Sequence, residues 1–168
     1  MTQRLPGRIL AATALFTLVL AVPTVAPQTR AAPGSIQDLN RYYQLRTRDP
    51  ARALFFLRRS IQRDPTDRRA WEELGYLELR AGHKAAALAA FQSAVKAGAD
   101  TAPMHAQIGY ILLDLKREIE TLAAFRRSLA INPNQEAVRL QTAFILDGLN
   151  RKGEAYRVFK RVARETRD

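Results

Sequence analysis

The side chains that most often carry enzyme chemistry are few in this 168-residue sequence, and they are not arranged for it. His83 falls in a predicted turn and His105 at a predicted helix start, and neither has a second histidine or a cysteine at metal-ligand spacing. No serine lies in a nucleophile motif, and no glycine-rich phosphate loop occurs. Neighbouring carboxylates such as Glu72 and Glu73 are typical of a solvated helix face. We therefore expect no catalytic residue, no metal site, no cofactor and no enzymatic activity.

Aromatic side chains could instead contact a binding partner. Four of them recur at one spacing. This aromatic column consists of Tyr42, Tyr76, Tyr110 and Phe144, each 34 residues from the next. Tyrosine combines an apolar ring, a polar tip and low side-chain entropy, which suits partly exposed binding surfaces. Core packing is an equal alternative, since aromatic residues at regular helical spacing are usually buried. Which of the two roles applies, binding or core packing, depends on the secondary-structure elements on which the aromatic column lies.

The 34-residue step extends to other positions and defines a repeat. Three further columns keep it: Leu57, Phe91, Phe125 and Phe159; Ala53, Ala87, Thr121 and Ala155; and Gly75, Gly109 and Ala143. Self-similarity at a fixed period is the signature of a repeat architecture, in which units bury their apolar faces by stacking on one another. Within a pair, a small residue on one helix would leave room for the large residue on the other.

Two helical patterns are visible in each period. The run from Trp71 has helical spacing, Gly82 ends it, and a second apolar stripe passes through Phe91. Asn132 is predicted to cap a helix, with Gln135 as its capping-box partner. The predicted helices are 35–48, 51–63, 67–81, 84–97, 102–116, 118–131, 134–149 and 151–165.

One unit carries enough of these positions to indicate a family. They are, in order, Trp71, Leu74, Gly75, Gly82, Ala87, Phe91 and Ala94. This pattern resembles the tetratricopeptide repeat over about residues 34–168, and it implies an all-α fold, a right-handed α-solenoid of about four helix pairs. The implied units are 35–65, 66–99, 100–133 and 134–168. Arg41 stands where the repeat has a small residue, so the first unit is expected to be degenerate, distorted and a cap.

The resemblance also implies where a partner would bind. In this family the first helix of each pair lines a concave groove, which places the aromatic column there with polar residues beside it. The predicted groove residues are Tyr42, Tyr76, Tyr110, Phe144, Glu72, Gln107 and Gln141. The lysine and asparagine set by which some members clamp a terminal carboxylate is missing, which disfavours binding of that kind.

Two binding functions follow from this assignment. The first is a non-catalytic scaffold or adaptor that holds a protein or peptide partner in the groove. The alternative is a polysaccharide-binding periplasmic module of an exopolysaccharide export or assembly system, because aromatic ladders stack on sugar rings and similar repeats build such modules.

The basic composition does not by itself indicate nucleic-acid binding. Lysine and arginine number 27 against 16 acidic residues, a formal net charge of +11. Arg4, Arg8 and Arg30 belong to the leader described next, and most of the remaining basic residues alternate with acids along helices. No nucleic-acid-binding motif accompanies the charge, so a nucleic-acid partner is not expected.

The first 31 residues have the pattern of a secretory signal peptide. Two arginines precede the uncharged run from Ile9 to Val22, and small residues follow around Thr29 and Ala31. That run is shorter than the ~20 residues needed to cross a hydrocarbon core. We therefore expect cleavage at or near Ala31, a linker at 32–34, export across the inner membrane, and a periplasmic or cell-envelope location. An uncleaved membrane anchor is the alternative.

The last helix pair suggests self-association. Val158, Phe159 and Val162 form an apolar strip beside several basic residues, and such a strip favours docking on a second copy.

The leader pattern generates a direct prediction. Mass spectrometry of the protein purified from the cell envelope should show a chain that begins near Ala32, because signal peptidase cuts after small residues. An intact chain from Met1 would instead support the membrane-anchor alternative.

Overall fold

A computed structural model describes residues 32–165, and its regular structure is α-helical throughout. The helices are α1 (Ser35–Leu45), α2 (Pro50–Arg63), α3 (Arg68–Arg80), α4 (Lys84–Lys96), α5 (Ala102–Asp114), α6 (Glu118–Ile131), α7 (Glu136–Gly148) and α8 (Lys152–Glu165). The predicted signal peptide at 1–31 lies outside the described residues. Between residues 32 and 165 there is no helix long and apolar enough to cross a membrane.

Side-chain caps begin several of the helices. Asp49 accepts a hydrogen bond from the Arg52 backbone N–H at 3.0 Å, and Pro50 occupies the first turn of α2. Asp67 caps α3 and Thr101 caps α5 in the same manner. Each cap satisfies a backbone donor that the first turn of a helix leaves without a partner.

In each of the last three pairs, the turn between the two helices contains a residue in the left-handed conformation. This residue falls at the same position of the repeat in all three pairs. Gly82, Lys116 and Asn150 have φ of 80°, 61° and 59°. A residue of this kind ends a helix and redirects the chain. In the first pair α1 ends at Leu45 rather than at the predicted residue 48, since Pro50 disfavours helical backbone just before it. The other helices lie within two residues of the predicted bounds.

The predicted cap at Asn132 is wrong. Asn132 ends α6, and α7 begins at Glu136 with Gln135 in the N-cap position. The Gln135 side-chain amide instead donates to the Ser128 carbonyl at 3.1 Å and to the Asn132 carbonyl at 2.8 Å. The glutamine therefore ties the start of α7 to the end of α6.

The helices associate as four consecutive pairs, and each pair packs on the next through α2 and α3, α4 and α5, or α6 and α7. Short loops between successive helices make each pair antiparallel. The apolar interior is a series of clusters, one spanning α1 to α3, one spanning α3 to α6 and one spanning α5 to α8. Stability in such an array comes from stacking of neighbouring pairs.

Within a pair, a glycine receives a phenylalanine ring. Phe91 and Phe125 are fully buried against Gly75 and Gly109. A Cβ added at Gly75 would lie 2.6 Å from Cε1 of Phe91, too close for two carbon atoms. In the fourth pair the small residue is Ala143, and the Phe159 ring there is only half-buried, so it has room to stand further out.

The first pair has other residues, Arg41 and Leu57, at the positions where the second and third pairs have glycine and phenylalanine. Arg41 is exposed, and its guanidinium lies over the Phe56 ring at 5.5 Å rather than between the helices. The α1 side also contains a buried carboxylate, Asp38, which receives hydrogen bonds from Arg59 and an ion pair from Arg63 at 2.8 Å. The Arg59 hydrogen bond holds the pKa of Asp38 below its ordinary value. The expected distortion thus takes the form of replaced contacts, while α1 and α2 still pack as a pair.

The glycine contact predicts opposite effects for two matched substitutions. Gly75→Ala should lower the free energy of unfolding, because overpacking costs about 1–3 kcal/mol and exceeds the gain of ~1 kcal/mol from removing a mid-helix glycine. Gly148→Ala, at the end of α7 with no atom within 4 Å of the added Cβ, should leave stability unchanged or raise it. Urea unfolding measures both. A stabilised Gly75→Ala variant would contradict the packing role of this column.

Candidate functional site

The aromatic column is partly exposed in three of the four units. Tyr76 on α3 is 43% exposed and Phe144 on α7 is 59% exposed, while Tyr110 on α5 is half-buried. Each ring stands edge-to-face against the phenylalanine of its own pair, with centroid separations of 5.0, 5.1 and 5.2 Å for Tyr76, Tyr110 and Phe144. Such contacts fix the ring orientation. The column therefore presents ordered aromatic surface at one register of successive first helices.

Tyr42 does not belong to this surface, contrary to the predicted set of groove residues. Its side chain is 1% exposed, and its hydroxyl donates a hydrogen bond of 2.7 Å to Oε2 of Glu73. Burial, together with the bond to Glu73, raises the pKa of Tyr42 to about 12. Leu57 stands in this unit where the others have phenylalanine, and the smaller side chain leaves interior space that the tyrosine ring occupies.

The exposed aromatic residue of α1 is Tyr43. It lies beside Tyr42 with ring centroids 5.1 Å apart, and the Arg46 guanidinium stands 5.4 Å from its ring centre. Reasoning from the 34-residue step could not find it, since it falls one position outside the column. The only signal in the sequence is that two tyrosines are adjacent.

The predicted polar groove residues Glu72, Gln107 and Gln141 are all half-buried. Gln107 and Gln141 occupy the repeat position of Glu73, the residue that accepts the Tyr42 hydroxyl. Glu73 contacts Tyr42, and each of these two positions recurs every 34 residues. The step therefore places Gln107 in register with Tyr76, and Gln141 in register with Tyr110. A side-chain amide both donates and accepts hydrogen bonds, so these two positions offer both functions in register with one exposed and one half-buried tyrosine.

Each of the two histidines lies within hydrogen-bond distance of a carboxylate. His83 Nδ1 lies 2.8 Å from Oε2 of Glu78, and His105 Nε2 lies 2.7 Å from Oδ1 of Asp100. In the part of the chain that the structure describes, no group of three or more histidine, aspartate or glutamate side chains is placed to hold a metal ion. The absence of catalysis, metal and cofactor stays a prediction.

The predicted apolar strip at the last pair is narrower than expected. Val162 is buried and Val158 and Phe159 are half-buried, whereas the neighbouring Tyr156 is 64% exposed. Tyr156 occupies the repeat position at which Leu88 and Leu122 are buried in the preceding units. Self-association through this pair stays a prediction.

Four stacked helix pairs with a 34-residue step define a helical-repeat protein that displays side chains from its first helices. By sequence, residues 102–135 match a profile of the tetratricopeptide repeat. No curated protein is a significant match. The family match thus covers one of the four units that the sequence pattern predicts, the unit at 100–133.

Solved structures show the same fold at low sequence identity. The MamA crystal structure is 19% identical with a TM-score of 0.66, and the match covers 80% of each chain. YrrB, described as a TPR protein with an unusual peptide-binding site, is 22% identical with a TM-score of 0.67, and the match covers 77% of this chain and 68% of YrrB. The predicted all-α solenoid of helix pairs is confirmed.

The buried Tyr42 predicts a stability change at high pH. The folded chain keeps the Tyr42 proton up to a pKa of about 12, whereas the unfolded chain loses it near the ordinary value of 10.0. Its contribution is therefore complete below pH 10 and is lost as the pH rises towards 12. Denaturant unfolding across this range should show a falling free energy in the wild type and a smaller fall in Tyr42→Phe. Tyr76→Phe, on an exposed ring, serves as the matched control, and an equal slope in all three proteins would refute the assignment.

Proposed function

We propose that this protein is a non-catalytic scaffold that binds a protein or peptide segment in the groove lined by its first helices. The observation that carries the proposal is the recurring exposure of Tyr76, Tyr110 and Phe144, each held edge-on by a phenylalanine of the adjoining helix. Rings fixed in this way lose little entropy when a partner covers them.

A polypeptide partner suits the polar residues of the groove. Gln107 and Gln141 lie in register with Tyr76 and Tyr110, and their amides match the alternating N–H and C=O groups of an extended peptide. YrrB, which has the same fold, is described by its peptide-binding site. Both observations favour a peptide segment over a small molecule.

We place this function in the cell envelope of a bacterium, after export and removal of the leader. The charge and apolar pattern of residues 1–31 supports this location. The leader contains no cysteine, so a lipid-bearing cysteine of the lipoprotein type has no attachment point there.

A polysaccharide partner is the second candidate. The rings of Tyr76 and Phe144 are exposed enough to stack on sugar rings, and successive units repeat them. A glycan ligand should bind more tightly as the oligosaccharide lengthens, because each added unit reaches another ring. A peptide ligand should depend on one particular polypeptide segment.

The groove assignment is tested with Tyr76→Ala/Phe144→Ala, which truncates the two most exposed rings of the column. The wild type should retain a defined polypeptide from envelope extract, and the double variant should bind it more weakly by about 2 kcal/mol or more, as for a small hot-spot cluster. Calorimetry with the purified polypeptide measures the change. Melting should shift far less than in Phe125→Ala, a fully buried ring whose loss costs about 3–5 kcal/mol.

Phe55→Ala provides the matched control, because Phe55 on α2 is equally exposed but lies outside the column. Its binding should equal that of the wild type. If Phe55→Ala weakens binding as much as the groove variant, or if both groove rings are dispensable, the partner does not bind in the groove. Retention of oligosaccharides in a length-dependent manner would favour the second candidate.

A further inference from the structure

The outer face of α2 carries a phenylalanine that the packing of the array does not require. Phe55 is 58% exposed. One and two periods later the same position holds Ala89 and Ala123, which are exposed as well, so the packing of a pair needs no ring there. The Phe55 ring stands edge-to-face against Phe56 at a centroid separation of 5.5 Å, and the Arg59 guanidinium lies 5.4 Å from its centre. These contacts hold an exposed ring in one orientation.

Phe55 belongs to a shallow depression along α2, with a volume of about 320 Å³. Residues three or four apart share one face of a helix, and here that face mixes apolar and basic side chains. Its lining consists of Ala51, Leu54, Phe55, Arg58, Arg59 and Gln62. A helix face on which exposed apolar side chains are bordered by arginines is typical of helices that lie on a membrane surface.

The first pair is basic, and both of its acidic residues are engaged. Seven arginines lie in α1, α2 and the loop between them: Arg41, Arg46, Arg48, Arg52, Arg58, Arg59 and Arg63. The same segment contains two acids, Asp38 and Asp49. Asp38 is buried and binds Arg59 and Arg63, and Asp49 caps the start of α2. The exposed charge of this pair is therefore carried by arginine.

The neighbouring parts of the chain do not offset this charge. Residues 1–31 contain three arginines and no acid. The next acids along the chain, Asp64 and Asp67, are buried in the loop that follows α2. α8 and the residues after it belong to the pair at the other end of the stack. A basic surface of this kind attracts an anionic partner.

Helix α1 is also uncovered, on the side that later units bury. Ile36 and Tyr43 are 47% and 38% exposed, and Asn40 and Gln44 between and beside them are exposed too. Their counterparts two periods later are apolar and buried, namely Met104, Ile108, Ile111 and Leu112. A further helix pair stacked here would bury Asn40 and Gln44 against apolar neighbours, which costs free energy when polar groups stay unpaired. The mixed face suits instead a surface that accommodates polar and apolar groups together.

The predicted leader brings the same pair close to a bilayer. Its apolar run ends at Val22, and α1 begins at Ser35. The intervening segment, 23–34, can span at most about 40 Å when fully extended. If the apolar run lies in the bilayer during export, the first helix pair is the part of the array that emerges next to the lipid headgroups.

We propose that the outer face of α2, together with the uncovered side of α1, docks on the surface of an anionic phospholipid bilayer. Phe55 enters the boundary between headgroups and acyl chains, and the arginines around it pair with lipid phosphates. The depression is lined by one outer helix rather than by a cleft between two, so it suits a broad surface better than a bound peptide chain. The groove of the proposed function is lined by first helices, so docking through α2 leaves it open to a partner.

The test uses protein purified from the cell envelope and two kinds of vesicle. One is phosphatidylcholine alone, and the other is phosphatidylcholine and phosphatidylglycerol in equal parts. Cosedimentation should show binding to the anionic vesicles, binding to the neutral vesicles that is weaker by at least about tenfold, and release at high salt, because added ions screen exposed charges.

Two variants test the two components of the site on the anionic vesicles. Phe55→Ala, which copies the residue of the next two units, should weaken binding about threefold or more because an apolar ring no longer enters the bilayer. Arg48→Gln/Arg58→Gln removes two exposed arginines. It should weaken binding at least about tenfold, since each basic residue near an anionic surface contributes on the order of fivefold.

Matched controls separate this face from general basicity and general apolar exposure. Lys96→Gln/Lys116→Gln removes the same charge from exposed positions in later pairs, and Ile119→Ala truncates an apolar side chain that is 67% exposed on α6. Both should bind the anionic vesicles as the wild type does, and equal melting temperatures should show that all variants are folded. Groove binding measured without lipid should be unchanged in Phe55→Ala, so failure of vesicle binding would leave the proposed function standing.

Four results would each overturn the docking proposal. They are equal binding to neutral and anionic vesicles, an equal loss in the lysine variant, unchanged vesicle binding of Phe55→Ala, and tighter binding of soluble polyglutamate than of anionic vesicles. The last result would point to an acidic polypeptide as the occupant of this face.

Discussion

Close approach of the two helices inside each pair is the constraint on which the remaining structure depends. The approach requires a residue without a bulky side chain on the first helix and a large ring on the second, a requirement met by Gly75 with Phe91 and by Gly109 with Phe125. These rings are fully buried and reach the interior of the cluster that joins adjacent pairs. The same contact therefore closes a pair and supplies apolar surface for stacking of the next one.

This constraint also determines the position of the aromatic column. Tyr76 and Tyr110 directly follow the glycines, so each tyrosine ring lies against the phenylalanine that fills the glycine site. Phe144 follows Ala143 in the same way and lies against Phe159. An exposed aromatic surface built like this inherits its spacing from the core. The exposed aromatic column and the buried core are consequently linked through neighbouring residues, although they use different side chains.

The sequence predicts the features that the 34-residue step repeats and misses those that it does not. Helix positions follow from the recurring pattern, because each unit repeats the same packing problem. Tyr42 follows the 34-residue step yet is buried, since Leu57 is smaller than the phenylalanine that the other units have at this position. The cleft between α6 and α8 was not predicted, because Arg126, Arg139 and Arg157, which line it, come from three different helices and become neighbours only when α6 and α8 lie beside α7. Exposure and charge clustering depend on such non-repeating neighbours.

The differences between units lie at positions that helix packing does not constrain. Gln92, His105 and Ala123 are followed one period later by Arg126, Arg139 and Arg157, which line the cleft between α6 and α8, and the helix pairs around both sets pack in the same way. At the glycine and phenylalanine positions a comparable change of size would disturb both the pair and its neighbour. A repeat array can therefore acquire distinct surfaces on its two sides, one tied to the core contacts and one independent of them. In this chain the aromatic column is of the first kind, and the lining of the cleft between α6 and α8 is of the second.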